Sequence, residues 1–258
     1  MTNSIGKGSL VAERTLKALM LFSAKRYYTV TEIANSLEIS LTAAYRIVET
    51  LQETGFIKRE QSKEYTLDAP NILQLYNMVQ YDLRDVARPI ISELTSTFKE
   101  SVYLSVVHNN NSYYSFIEGE ESPLPIKWSE NIGSSYSLST GTAGKTHLAY
   151  ITEDFSEDEK DTFIAQLDLT QHTEKSVTKI EQLKKSLDEI LANGYCYTQS
   201  EHIQGVVGIS VPVFNFQKKN IVAVLSVFMP DTHFNRDQLS YYVAHLQKGS
   251  DKIGTSIP

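Results

Sequence analysis

Three groups of residues in this 258-residue chain have types and spacings that could do chemistry. The first is Thr42, Ala43, Tyr45, Arg46, Glu49 and Thr50, which share a face if residues 41 to 51 are helical. Short or hydrogen-bonding side chains with one guanidinium among them can approach base edges and phosphates closely. The second group, Lys58, Arg59 and Lys63, surrounds a polar turn and could add phosphate contacts. The third is Thr140-Gly141-Thr142-Ala143-Gly144. At a helix start it would offer free N–H groups and hydroxyls to a carboxylate or phosphate, or its small residues could simply let a helix lie close to a sheet.

Other pairings lead to less. His147 follows Ser139 and Thr142 closely enough for a hydroxyl nucleophile and its base, but nothing specific supplies the orienting carboxylate. Glu201 and His202 would point to opposite faces of a strand, which leaves one metal ligand at most. Phosphate-binding glycine loops, HExxH and CxxC are absent. The expectation is no catalytic residue, no metal site and no cofactor.

The first group needs a scaffold, and the flanking residues specify one. Thr29 with Glu32 forms a capping box opening a helix through Leu37. Glu38-Ile39-Ser40 is a tight break, with Ser40 placed to cap the next helix and aim its free N–H groups at a phosphate. In that helix Leu41, Ala44, Val48 and Leu51 recur at i, i+3, i+7 and i+10, an apolar face. Gly55, Phe56 to Glu60, the turn Gln61-Ser62-Lys63-Glu64 and Tyr65-Thr66-Leu67 then read as a wing of two short strands. A first helix, Ser9 to Ser23, with Ala12, Leu16, Leu19 and Met20 on one face, would close the core, and Lys25 to Tyr28 reads as a polar connection. The result is a winged helix-turn-helix over residues 1–69.

Pro70-Asn71 marks a boundary, and Ile72 to Val79 reads as a linker helix (70–82) apolar enough to pack against a partner subunit. Residues 83–258 form the second domain. It opens with a helix to Phe98, in which Val86, Ile90, Ile91 and Leu94 face inward. Strands follow at Val102 to Val107 and Tyr113 to Ile117, joined by a turn at His108 to Asn111, and Pro123 to Trp128 reads as a further strand. The stretch Ser137 to Lys145 then opens a helix that continues through Tyr150. Ser156 with Glu159 caps another, and Thr178 with Glu181 a long one that ends at Asn193-Gly194. Gly205 to Phe214 and Ile221 to Phe228 form a central hairpin around Gln217 to Asn220, and Arg236 to Ile253 is the last helix. The fold class is α+β, with a mostly antiparallel sheet flanked by helices.

Composition narrows the field. The single cysteine, Cys196, lies in a strand-like Tyr-Cys-Tyr run and reads as a buried structural thiol. No stretch nears the roughly 20 apolar residues of a membrane span, so a cytoplasmic protein with no membrane partner is expected. The net charge is −7, but residues 1–69 hold nine Lys/Arg against eight Asp/Glu, so the acidity belongs to the second domain. That is a weak footprint for duplex DNA, so phosphate affinity must come from a local face and be doubled in a dimer. A two-fold, (pseudo)palindromic operator with half-sites about 34 Å apart, or a multiple of that, follows.

The order of elements, together with Ala44-Tyr45-Arg46, Leu51, Gly55-Phe56-Ile57, the run Ala87 to Leu94, Gly144-Lys145, Leu148-Ala149-Tyr150, Gly194-Tyr195, Gly205-Val206, Pro212-Val213 and Ala223 to Val227, resembles the IclR family of bacterial transcriptional regulators along essentially the whole chain. The resemblance implies a winged helix joined by a helical linker to a GAF/PAS-like domain that binds a small effector, in dimers or tetramers. It implies an effector pocket between Ser139 to Gly144 and the strands around Gly205 to Ser210 and Leu225 to Phe228. The effector residues are then Trp128, Thr140, Gly141, Thr142, Ala143, Gly144, Gly208, Ser226 and Phe228. Departures matter. Gly208 stands where the family often has cysteine, Phe228 where a second serine often follows, and Leu41 where a basic residue is frequent. The acidic cluster common after Gly-Tyr is reduced to Thr198, Gln199, Ser200 and Glu201. Two hydrogen-bonders lost and an aromatic ring gained point away from a small oxo-acid and towards a larger or less polar acid, with Trp128 and Phe228 as stacking surfaces, or towards a degenerate site. The expected function is an effector-controlled DNA-binding regulator, a repressor rather than an activator. The alternative is a metabolite-binding or catalytic module whose winged helix serves protein contacts.

Overall fold

The computed structural model describes residues 9–60, 63–78, 82–108, 112–217 and 220–257. Met1 to Gly8, Gln61-Ser62 of the wing turn, Val79 to Tyr81 of the linker, Asn109 to Asn111 and Lys218-Lys219 lie outside the described residues. The chain divides into two compact units, Met1–Gln80 and Tyr81–Pro258.

In the first unit α1 (Leu10–Leu21) is capped by the Ser9 hydroxyl, and α2 (Val30–Ser36) starts with the reciprocal Thr29–Glu32 box. The side chain of Ser40 accepts the Ala43 N–H at 3.3 Å and starts α3 (Leu41–Glu53). Strands β1 (Ile57–Arg59) and β2 (Tyr65–Leu67) pair antiparallel as the wing. Helix α4 (Ala69–Met78) follows, beginning before the expected Pro70-Asn71 boundary because proline is tolerated in a first helical turn. Gly55 has φ +73°, and a Cβ there would meet the Asn71 amide at 2.8 Å. That amide donates to the Thr54 carbonyl at 2.8 Å and closes the end of α3.

Two expected faces are corrected. On α3 the buried residues are Ala44, Ile47, Val48 and Leu51, a complete i, i+3, i+4, i+7 stripe, whereas Leu41 one turn earlier is 47% exposed. On α1 it is Ala18 and, just beyond the helix, Phe22 that are buried, while Leu16 and Met20 are 63% and 67% exposed. The polar connection is also more than a loop: Tyr28 and Tyr65 exchange two backbone hydrogen bonds, tying the wing to the helices.

The second unit is α+β. Its elements are α5 (Asp82–Phe98), β3 (Ser101–Val107), β4 (Tyr113–Glu120), β5 (Ser135–Ser137), α6 (Gly141–Ile151), α7 (Glu157–Ile164), α8 (Ile180–Asn193), β6 (Cys196–Gln199), β7 (Val206–Phe214), β8 (Ile221–Pro230) and α9 (Leu239–Gly254). The sheet runs β5-β4-β3-β8-β7-β6 and every described pairing is antiparallel. Successive side chains along a strand alternate between faces, which splits the core in two. Ala223, Leu225, Val227 and Met229 of β8 pack with α5 and α9, while Val224 and Phe228 join the opposite face with α6, α7 and α8.

Pro123 to Trp128 is not a strand. Its two prolines lack the N–H a ladder needs, and the Trp128 carbonyl instead accepts the Ser101 hydroxyl at 2.6 Å. The residue capping α8 is Lys179, without a side-chain bond, so Thr178 does not open that helix. Gly194 ends α8 in the left-handed conformation, as expected. Cys196 is buried, and burial pushes its thiol up to about 11. None of the described helices is long and apolar enough to cross a membrane.

Candidate functional site

Two surfaces follow from this architecture. On α3 the stripe inside the core leaves Thr42, Tyr45, Arg46, Glu49 and Thr50 exposed and Ala43 half-buried, with Ser40 exposed at the helix start. Arg46 forms no ion pair among the described residues. In the wing Lys58, Arg59 and Lys63 are exposed, and Lys58 lies 3.8 Å from Glu60. Of the residues expected from sequence to face DNA, all but the half-buried Ala43 are therefore exposed, on α3 and its start or on the wing.

In the second unit a cavity of about 430 Å³, including its open mouth, lies between α6 and the sheet. Its walls are Tyr114 and Phe116 of β4, Trp128, Tyr136 of β5, and Phe228 of β8. Trp128 and Phe228 lie 4.4 Å apart between ring centroids, with planes inclined at 32°. Polar groups enter from Gly141 and Thr142 at the start of α6, from Thr198, and from Glu201 and His202 in the turn between β6 and β7. That turn is pinned from outside: Thr173 donates to the Ser200 carbonyl at 2.7 Å and Ser176 to the Glu201 carbonyl at 2.8 Å.

Two residues that line this cavity each carry a buried polar atom without a hydrogen-bond partner, Thr142 Oγ1 and His202 Nδ1. Unpaired buried polar atoms are costly, and at a cavity wall they are what a ligand would satisfy. Thr142 is 1% exposed and sits in the first turn of α6, where backbone N–H groups point outward. Glu201 is the acidic lining residue, and Lys145 holds it at 2.6 Å in a buried ion pair. Burial, and then the nearby His172, lower the His202 pKa.

Of the residues expected to bind an effector, Trp128, Gly141, Thr142, Gly208 and Phe228 line this cavity. Thr140 lines a neighbouring one that shares Gly141, Glu201 and His202. Ala143, Gly144 and Ser226 line neither. Gly144 serves packing: a Cβ there would come within 2.9 Å of the Leu138 and Ser137 carbonyl oxygens. Ser226 is fully buried and hydrogen-bonded to Ser210 at 2.8 Å. Sequence reasoning missed Tyr114, Phe116, Tyr136, Thr198 and Ile203 as lining residues, placed the pocket against the Gly205–Ser210 strand without naming Val206, and put Glu201 and His202 on a strand when they form a turn.

Two family descriptions match this chain: "IclR helix-turn-helix domain" over residues 11–61 and "Bacterial transcriptional regulator IclR C-terminal" over residues 76–255. The chain belongs to the IclR family. The HTH-type transcriptional regulator KipR of Bacillus subtilis is 25% identical to it over 246 residues, covering 95% of each chain. The crystal structure of an IclR transcriptional regulator from Alicyclobacillus acidocaldarius shares its fold with a TM-score of 0.84 at 22% identity, covering 98% of this chain and 100% of that one. An IclR homolog from Microbacterium hydrocarbonoxydans, complexed with 4-hydroxybenzoate, superposes with a TM-score of 0.80 at 18% identity and covers 96% of this chain and 98% of that one. This IclR-family protein is thus a transcriptional regulator with a DNA-binding helix-turn-helix and an effector-binding C-terminal domain.

His147, the base of the hydroxyl–histidine pair considered from sequence, is 1% exposed in this IclR fold, is bonded to Ser105 Oγ at 3.0 Å and is not among the residues that line the cavity. Burial drives its imidazole down to about 3, from 6.5 in the unfolded chain. Between those values only the unfolded chain takes up the proton, so the stabilisation is full above pH 6.5 and drains away as pH falls towards 3. Urea titrations should show the wild type losing up to about 1.4 kcal/mol more per pH unit in this window than His147→Gln, which keeps a hydrogen-bonding group for Ser105 but cannot charge. Parallel profiles would remove His147 as the source.

Proposed function

We propose that this regulator represses its target genes in the cytoplasm by binding a (pseudo)palindromic operator as a homodimer or tetramer, and that a planar aromatic acid entering the cavity of the second unit alters operator affinity. In this reading residues 1–69 contact DNA through Ser40, Thr42, Ala43, Tyr45, Arg46, Lys58, Arg59 and Lys63, residues 83–258 bind the effector, and the linker 70–82 couples the two. An effector can act only through a difference in affinity between DNA-competent and DNA-incompetent arrangements, and the linker is where such a difference would be transmitted.

The observation that carries the effector reading is the orphaned, buried hydroxyl of Thr142, a residue at the start of α6 that lines the same cavity as the Trp128–Phe228 wall. A carboxylate would take the α6 N–H groups and that hydroxyl, and its ring would lie on the aromatic wall. A related fold holding 4-hydroxybenzoate supports the same chemical class. The self-association reading is supported by the apolar residues exposed on α1 and α4, among them Val11 at 69%, Leu16 at 63%, Met20 at 67% and Leu73 at 55%.

A gel-shift titration against the protein's own upstream DNA, across a salt series and with a panel of aromatic acids, tests the proposal. Sequence-specific binding that weakens steeply with salt and shifts with one class of acid is expected. Absence of duplex binding at low salt would overturn it and favour a winged helix used for protein contacts.

A further inference from the structure

Charge balance raises a question that the aromatic-acid reading leaves open. Among the described residues the cavity lining contains no Lys or Arg, and Glu201 already carries one negative charge there, held by Lys145. An anion buried beside that pair needs a positive partner, because an uncompensated buried charge is expensive. The start of α6 supplies only a partial charge, about half a unit. The remaining lining group able to become positive is His202.

We infer that the acid and a proton bind together, the proton going to the His202 imidazole, so that the effector response strengthens as pH falls. The inference rests on the aromatic-acid reading above. His202 Nδ1 is buried and unpartnered, and His202 lines the same cavity as Thr142 with its orphaned hydroxyl, so both polar groups belong to the site an acid would enter. The ring stands edge-on to Tyr136 of β5 at 5.5 Å and to His172, in the segment before α8, at 4.5 Å. Further groups facing the region are Glu130 ahead of β5, Tyr114 of β4, and the neighbouring Glu201, tied to Lys145 of α6. With the cavity empty, burial and His172 disfavour the imidazolium more than Glu130 supports it. A carboxylate against Nδ1 reverses that balance, since an opposite charge within a few ångströms favours the charged form. A neutral imidazole carrying its hydrogen on Nδ1 would satisfy the hydrogen bond and leave the anion's charge unmatched.

Calorimetric titration of the full chain with benzoate, cinnamate and 2-naphthoate, and with their neutral amides, in buffers of different ionisation heat between pH 5 and 8, measures the protons taken up. The expected result is net uptake of up to one proton for the acids and none for the amides, with acid affinity falling by up to about tenfold per pH unit between the free and bound pKa values of His202. His202→Asn keeps a hydrogen-bonding group near the Nδ1 position and cannot titrate; uptake should vanish and the affinity profile flatten. His172→Gln removes the opposing imidazole and should move the sloping region to higher pH. Acid binding without uptake, or uptake that persists in His202→Asn because the proton sits on the ligand, overturns the inference and leaves the aromatic-acid reading intact. If none of the three acids binds, the reading itself falls, and the inference with it.

Discussion

Arg46→Ala is expected to lower operator affinity by about 1–3 kcal/mol, roughly five- to 150-fold, with little change in folding. The guanidinium stands exposed on the outer face of α3 with no ion pair among the described residues, while the residues that hold α3 in the core are Ala44, Ile47, Val48 and Leu51. Surface substitutions away from packing and buried polar groups usually cost within about 0.5 kcal/mol of stability. Fluorescence anisotropy with operator and scrambled duplexes, over a salt series, separates two ways of losing affinity. A bidentate base contact predicts a loss confined to the operator. A phosphate contact predicts a uniform loss and a salt slope shallower by about one. Unchanged binding to both duplexes would take Arg46 off the DNA face.

Gly208→Val should abolish the effector response and leave operator binding without effector intact. A Cβ at position 208 would lie 2.7 Å from Thr142 Oγ1 and 3.0 Å from the Phe228 ring, so even a methyl group must displace the cavity's polar anchor or its aromatic wall. Valine adds two further methyls at that point and fills the space a ligand would use. Overpacking of this kind costs about 1–3 kcal/mol of stability, which a melting curve measures separately. Trp128 is the single tryptophan of the chain and lies in the cavity wall, so its fluorescence reports occupancy directly. The wild type should respond to the binding acid and the variant should show at least a tenfold weaker response. A variant that binds the acid as well as the wild type would place the effector elsewhere.

Much of the first unit was legible because its signals are local. A capping box needs only Thr29 and Glu32, a helix start only Ser40, and a wing only two short strands either side of a polar turn. The same locality let Gly194 be read as the end of α8. Errors came where a pattern depends on a distant partner. Leu41 and Ile47 both fit an apolar helical period, and only the packing of α3 in its unit decides that Ile47 is inside. Pro123 to Trp128 alternates like a strand, yet a strand exists only if a neighbour pairs with it, and it is β5 that pairs with β4.

By itself the sequence determined the order and type of nearly all the elements, the outward face of α3 apart from its edges, and the family resemblance that the matched descriptions bear out. These rest on residues a few positions apart, where periodicity and capping act. Tertiary structure alone decided the cavity. Its lining comes from β4, the segment of Trp128, β5, α6, β6, β7, β8 and the turn before β7, brought together from residues 114 to 228. It also decided which members of the 140–144 stretch face a ligand: Gly141 and Thr142 open into the cavity, while Gly144 is spent on the contact with the Ser137 and Leu138 carbonyls. Side chains so far apart in the chain meet only because an antiparallel sheet sets its strands about 4.8 Å apart with alternate residues on one face, and no local pattern carries that information.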